Sequence, residues 1–397
     1  MPNNKKGKKK QPEESQADRT RREQAAAKKN ADEMALLEKE LAEKAKVMNQ
    51  TKALSEHIHK YELPEFKAMP KIELHAHLSG SLSPGTISRI LGDKEKCVQV
   101  LKKYRLRKPE GMKRVFECFP AVNEVLERPE HLKLATIETC REFCDDGCVY
   151  LELRSTPKRT PYMNIDVYLR SVVEGIIEAR KMFPQMKIFF IVGINRSMNY
   201  DSAAQILHVT GILQLESNVI VALELSGDPR VYAGHLIPIF QVARRFHGLG
   251  ITVHLAETKE YTEDTTDWLN LMPDRVGHGT FLHTNKKFVE IMTYYNIPIE
   301  FCLSSNLFTK TITSPIDSHF QFWKRRGNPV SINTDDKGIF PAASLSEEYY
   351  KVAKTFNLSM EELITLNFNA LRTSFGFKYS CTTFLDTFQK IGENTLN

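Results

Sequence analysis

No apolar run in this 397-residue chain approaches the ~20 residues needed to cross a bilayer, so nothing in it reads as a membrane span. The best candidate, IFFIVGI at 188–194, has the length of a strand. The N-terminus opens on lysines with no apolar segment behind them, so no secretory leader is expected. Cysteine is sparse and unsuited to cross-linking. The seven residues (97, 118, 140, 144, 148, 302, 381) are odd in number and contain no C-x-x-C pair. That excludes a disulfide framework and fits a reducing compartment, so a cytoplasmic location is expected. Cys140, Cys144 and Cys148 recur at helical spacing among aliphatic residues, as core residues do. A glycine-rich phosphate turn after the first strand-like run is also missing.

The body of the chain has little charge bias. Of the net +6, residues 1–50 hold +4, with 13 Lys/Arg against 9 Asp/Glu, which leaves about +2 for the rest. Such a body is not expected to bind nucleic acid. The basic stretch NKKGKKK can touch RNA or serve as a nuclear address; the plainer reading is a solvated tail without a partner. Residues 1–30 lack aromatics and almost all aliphatics, so disorder is expected there. From 31 to 59 helix formers dominate, but Met34, Leu37 and Leu41 give only a thin apolar stripe. Residues 1–60 therefore read as a charged, largely disordered or helical extension.

From about residue 64 short apolar runs appear at wide intervals: KIELHAH (71–77), VYLELRS (149–155), KIFFIVGIN (187–195) and VIVALELSG (219–227), then ITVHLAE (251–257), DRVGHG (274–279), IPIEFCL (297–303) and PVSINTDD (329–336). Amphipathic segments such as 131–147, 164–183 and 235–250 separate most of them. Strands buried on both faces read as continuous apolar runs, and their alternation with helices marks a parallel α/β protein. Eight runs over roughly this length match a (β/α)8 TIM-type barrel, placed at 64–390. A doubly wound sheet is the competitor, but it lacks its glycine turn. A helical insertion after the first strand is expected, and within it 103–130 is the expected lid.

In KIELHAH, Ile72, Leu74 and Ala76 fall on one alternation, and Glu73, His75 and His77 fall on the other. H-x-H alone suits either a metal pair or the wet side of an edge strand. Barrel enzymes, however, place their active sites at the C-terminal strand ends. Chemically capable residues collect there run after run: His75 and His77, Glu152 and Arg154, Glu224 and Asp228, His254 and Glu257, His278, and Asp335 with Asp336. Each has a plain reading. Arg154 can pair with Glu152 or Glu224, Glu257 can begin a helix, and His278 can be a turn residue between glycines. Buried charge is costly unless paired or metal-bound, and accidental convergence of so many is hard to accept. Three imidazoles (His75, His77, His254) with one carboxylate (Asp335) favour Zn²⁺ over Mg²⁺ or Ca²⁺, one ion per subunit, although iron or cobalt suits the same ligand types. Glu257 can reach substrate without binding metal. Asp336 cannot easily share Asp335's face, so it points at substrate or orients a partner.

Taken in order, MPKIELHAHLSGSLS, LELSGDP, HLAE, RVGHGTFLH, CLSSN and SINTDD resemble the adenosine deaminase family of metal-dependent barrel hydrolases over about residues 68–380. The resemblance implies hydrolytic removal of an amine from C6 of an adenine ring. It makes His75, His77, His254 and Asp335 the zinc ligands and Glu257 the donor to the ring nitrogen. It has His278 activate the attacking hydroxide, Asp336 meet the purine N7, and Gly227 offer its backbone N–H. LELRSTPK (151–158), LSGDP, PDRVGHGTFL, TDDKGIF and FQFW, with HLAE in place of HAGE, bring the chain nearest the adenosine deaminase-like branch, which acts on N6-methyl-AMP. That branch implies a 5′-monophosphate substrate yielding IMP and methylamine, with Arg154, Ser155, Thr156 and Pro157 at the ribose–phosphate end. An arginine with two hydroxyls suits phosphate. Ser79 stands where relatives often carry Asn, and Asn195 where they often carry Asp; both, with His77, belong to the substrate side.

Two other activities stay open at this point: a deaminase of free adenosine or deoxyadenosine giving inosine and ammonia, and a silent barrel tethered by its basic tail. Partners are expected to be small purine nucleotides or nucleosides, with no membrane, and the chain is expected to be a monomer.

Overall fold

A computed structural model describes residues 62–259 and 263–376. The 1–60 extension, Cys381 and the last part of the 64–390 span lie outside these residues. Eight strands form one sheet in chain order: β1 (Lys71–His77), β2 (Cys148–Ser155), β3 (Lys187–Asn195), β4 (Ile220–Ser226), β5 (Gly250–Leu255), β6 (Arg275–His278), β7 (Ile299–Phe301) and β8 (Val330–Ile332). Every neighbouring pair is parallel. The ring closes where β8 returns to β1. There His77 N–H donates to the Asp335 carbonyl (3.0 Å) and Asp335 N–H donates to that of His75 (2.9 Å). This is the (β/α)8 barrel that the spacing predicts.

The helices explain why the strands are so apolar. Ile72, Leu74 and Ala76 are fully buried on one face of β1, and the alternate face carries Glu73, His75 and His77. The barrel interior is therefore polar where the helix-facing side is aliphatic. Between β1 and the crossover helix Pro129–Asp145 lie four short helices, Pro84–Leu91, Lys94–Tyr104, Met112–Phe116 and Phe119–Val125, which are the expected insertion. It begins cleanly. Ser83 Oγ accepts the Thr86 N–H (3.1 Å) ahead of Pro84 at the first helical position, a strong N-terminal signal.

Two boundaries differ from the periodicity. The helix predicted over 131–147 ends at Asp145, because Gly147 turns the chain at φ +78°. Cys148 therefore opens β2, and only Cys140 and Cys144 share the helix. The runs at 297–303 and 329–336 contribute just three ladder residues each, because Leu303–Phe308 becomes helix and Asp335 turns at φ +59°. Among the described residues no helix is long and apolar enough to cross a membrane.

Candidate active site

At the C-terminal mouth β1, β5 and the turn after β8 deliver four side chains to one point. His77 Nε2 lies 3.3 Å from His254 Nε2 and 3.4 Å from Asp335 Oδ1, and His75 Nε2 lies 3.5 Å from that same oxygen. Donor atoms about 2.0–2.1 Å from one zinc ion, at near-tetrahedral angles, stand roughly 3.4 Å apart. The His77–His254, His77–Asp335 and His75–Asp335 separations thus match those around a single ion. Among the described residues the buried Nε2 of His75 has no hydrogen-bond partner. Seven buried carboxyl groups (Glu73, Glu152, Glu224, Glu257, Glu300, Asp335, Asp336) outnumber the interior guanidiniums of Arg154 and Arg275. With Glu257 and Asp336 held protonated, a divalent cation would relieve the excess that remains.

His278 enters the same neighbourhood, with Nε2 3.7 Å from the other Asp335 oxygen. His75, His254, His278 and Asp335 make one possible ligand group, and His77, Glu224 and His254 another, each within 4.8 Å. His77 has the shorter separations to His254 and Asp335, while His278 is the imidazole whose donor atom lies within 4.8 Å of His75, His254 and Asp335 alike. Glu224 already receives Arg154 (2.7 Å), and its other oxygen sits 3.6 Å from His77 Nδ1, too far for a hydrogen bond.

The remaining imidazole nitrogens are tied down. His75 Nδ1 meets Glu300 (2.5 Å), and His254 Nδ1 donates to the Leu225 carbonyl (2.9 Å). Holding the far nitrogen aims Nε2 at the cage, the usual support of a metal-binding histidine. Gly277 is required beneath His75, since a Cβ there would come within 2.8 Å of its Cε1. Strain is concentrated here: Ala256, His278 and Asp335 all have positive φ (49°, 56° and 59°). Each such turn costs about 1–2 kcal/mol in a non-glycine residue, and such strain gathers at functional sites.

The structure corrects the expected place of Arg154. Its guanidinium is fully enclosed inside the barrel, donating to Glu224 (2.7 Å), Glu300 (3.0 Å) and the Leu74 carbonyl. Glu300 also receives Arg275 (2.6 Å) and Thr252 (2.9 Å), and Arg275 reaches Glu152 (2.6 Å). Arg154 therefore belongs to an ionic layer under the cage and is not free to meet a phosphate.

Three groups line the cage without belonging to it. Glu257, just past β5, is buried with Oε1 unpartnered and Oε2 3.8 Å from His278. Burial first, then the Asp335 charge, pushes its pKa up to about 8, so at neutral pH it carries a proton. Burial lowers His278 to about 4 against the pull of Asp335, leaving it a neutral imidazole. Asp336 is held well above its usual range by burial and then by Asp335, Glu224 and Glu257. Its carboxyl packs on Gly80, where even a Cβ would fall 1.5 Å from Oδ1. The cage groups differ. His254 is depressed by burial and its histidine neighbours, and Asp335 stays well below its usual range because surrounding imidazoles outweigh burial. Burial and Arg154 push His75 down, yet Asp335 and Glu300 outweigh them and hold it at about 9; metal binding there would release that proton.

The other expected substrate residues form a rim. Ser79 is half-buried and offers its carbonyl to Tyr104 Oη (3.0 Å). Ser155 Oγ is paired with Tyr168 Oη (2.8 Å), facing away from a ligand; Thr156 lies across Gly193, and Pro157 is buried. Asn195 Oδ1 accepts from Ser197 N–H (2.9 Å) beside Gly227, whose φ of +108° and close approach to Asn195 leave no room for a side chain. The lid candidate 103–130 is clipped to the mouth: Leu106 N–H donates to Ile339 O (3.0 Å) and Gly111 N–H to Phe308 O (3.0 Å).

Lys158 was not singled out by spacing. It is half-buried after β2 and donates to Asn123 Oδ1 of the insertion. Burial alone lowers its pKa to about 8, and among the described residues no carboxylate is paired with it.

A His/Asp cage with a protonated acid at the C-terminal mouth of a (β/α)8 barrel defines a metal-dependent barrel hydrolase. Comparison with known proteins narrows the class: the adenosine deaminase profile matches residues 70–390, and the chain belongs to that family. An adenosine deaminase-like protein of Caenorhabditis elegans is 51% identical over 337 residues, covering 85% of this chain and 87% of the relative. N6-Methyl-AMP deaminase-L of Xenopus laevis is 35% identical over 78% of this chain and 90% of its own. Among solved structures, the ADAL–IMP complex superposes with a TM-score of 0.75 at 26% identity, covering 84% of this chain and all of that one.

Proposed function

We propose that the protein is a zinc-dependent hydrolase converting N6-methyl-AMP and water to IMP and methylamine. The observation that carries the reading is a cluster of histidines about Asp335, with separations of 3.3 Å (His77–His254), 3.4 Å (His77–Asp335) and 3.5 Å (His75–Asp335), beside a carboxyl that burial keeps protonated, in a chain of this family. The similarity to relatives named N6-methyl-AMP deaminase favours that substrate over free adenosine.

His75, His77, His254 and Asp335 would hold the ion, which when bound supplies a Lewis acid able to lower the pKa of water to about 7. The residues around it divide the proton work. His278, neutral, accepts a proton from the attacking water. Glu257, protonated, donates to N1 of the ring as the water oxygen adds to C6. Asp336, also protonated, donates to N7 and holds the ring. The C6–N bond then breaks: the proton held by His278 leaves with methylamine, and the proton remaining on the C6 hydroxyl returns to Glu257 as the carbonyl of IMP forms. A general acid works best with a pKa near working pH, and Glu257, at about 8, has one.

A pH dependence follows. The donor form of Glu257 exists below its pKa and is lost above it, so kcat/KM is expected to fall as pH rises through about 8. Rates measured from pH 6 to 10 check this; a flat profile across 8 would remove Glu257 as the donor.

With Arg154 enclosed, the phosphate end falls to the loop after β2, where Lys158 is a half-buried cation with no carboxylate paired to it among the described residues. Lys158→Ala is expected to raise KM for N6-methyl-AMP by roughly 10–100-fold, the scale of a lost charge-assisted contact, and to leave N6-methyladenosine unaffected. A panel of 6-substituted purine nucleosides and their monophosphates tests both claims. Faster turnover of adenosine than of N6-methyl-AMP would reverse the substrate assignment. The six cysteines of the described residues are free, in keeping with a reducing compartment such as the cytoplasm.

A further inference from the structure

Arg196 follows the last residue of β3 and is almost completely enclosed, 3% exposed. The mechanism above does not use it. Its Nη2 donates to the main-chain carbonyl of His254 (2.9 Å), and its Nη1 to Asp264 Oδ2 (2.6 Å) and the Val231 carbonyl (3.1 Å). The same Asp264 oxygen accepts the Ala233 N–H (3.1 Å) and the indole N–H of Trp268 (3.2 Å). One guanidinium therefore joins the ends of β3 and β5 to the loops after β4 and β5.

These contacts bear on the site through the chain between them. His254 and Asp264 bracket the segment that carries Glu257, and Ala256 within it turns at φ +49°. A strained segment holds such a turn only where its surroundings fix it. Here the charge pair with Asp264 anchors the far end, and the carbonyl contact anchors the near end at a cage residue. The fork geometry of arginine allows both at once, which a lysine ammonium on a single stem cannot reproduce.

We propose that Arg196 is a positioning residue for this centre, clamping His254 and the Glu257 loop at both ends through His254 O and Asp264. The inference rests on the deaminase reading for its kinetic arm, but not for its zinc arm.

The test uses the full-length chain with Arg196→Lys and Asp264→Asn. Zinc affinity is read by competition with a chelator without substrate, turnover is read on N6-methyl-AMP, and melting is followed by circular dichroism. Arg196→Lys keeps a positive charge for Asp264, so its Tm should stay close to wild type. Zinc affinity and kcat should nevertheless each drop about 10–100-fold, the usual penalty for losing outer support of a metal ligand, with KM nearly unchanged. Asp264→Asn, which keeps an acceptor for Ala233 and Trp268, should lower kcat and spare zinc affinity, because the carbonyl contact to His254 remains. Wild-type zinc affinity and kcat in Arg196→Lys would overturn the proposal. So would losses in both variants that merely follow Tm. A wild-type chain that holds zinc but leaves N6-methyl-AMP untouched would sink the substrate reading, and zinc affinity would still decide the role of Arg196.

Discussion

Glu257→Gln is expected to lower kcat on N6-methyl-AMP by about 10²–10⁴-fold, the range of a single general acid, while zinc content stays that of the wild type. The structure separates these two effects. Glu257 makes no contact with His75, His77 or His254 as short as a hydrogen bond, and its Oε2 lies 3.8 Å from His278 Nε2. Gln is close in shape to the protonated acid present at neutral pH, so it fits the same buried position. What it lacks is a proton that it can release to the ring and regain. Folding should not suffer. A carboxyl raised to about 8 is harder to ionise when folded than when unfolded, so it opposes folding at pH above its unfolded value, and the amide removes that term. Metal analysis, kcat and Tm on one preparation decide the matter. Loss of zinc along with activity would make Glu257 a ligand instead.

Asp335→Asn is the second large effect, and here the metal should go. The variant is expected to lose stoichiometric zinc and at least about 10³-fold in kcat, since Lewis-acid stabilisation is worth several kcal/mol. The barrel should survive, because both hydrogen bonds that close it at this residue are made by the main chain. The remaining groups should also shift. The Asp335 charge raises both Glu257 and Asp336, so neutralising it should bring both carboxyls down. Zinc retained at full occupancy in Asp335→Asn would remove this residue from the cage.

Much of this could be read before the fold was known, for reasons specific to each segment. β1 and β3 match their apolar runs to the residue, because each is a long strand buried on both faces. The cage residues stood out because they gather at the ends of three separate runs, where an apolar pattern gives no reason for an imidazole or carboxylate. Arg154 was misplaced for a clear reason: a charge near a strand end can look outward to substrate or down into the barrel, and spacing does not tell which. Glu300 and Arg275 were missed, although a carboxylate within IPIEFCL and an arginine opening β6 carried a usable signal. Charges inside strands buried on both faces must find partners. Lys158 had no such signal, since its lack of an acidic neighbour exists only in three dimensions.

The seam between the first and last strands has a consequence for how activity arises as the chain matures. The residues that exchange hydrogen bonds there, His75, His77 and Asp335, are separated by some 260 positions of sequence and belong to the cage themselves. An unfinished or C-terminally shortened barrel therefore has no half-active form. Catalytic competence switches on with the final strand's arrival, and ion uptake becomes a direct reporter of the last step of folding.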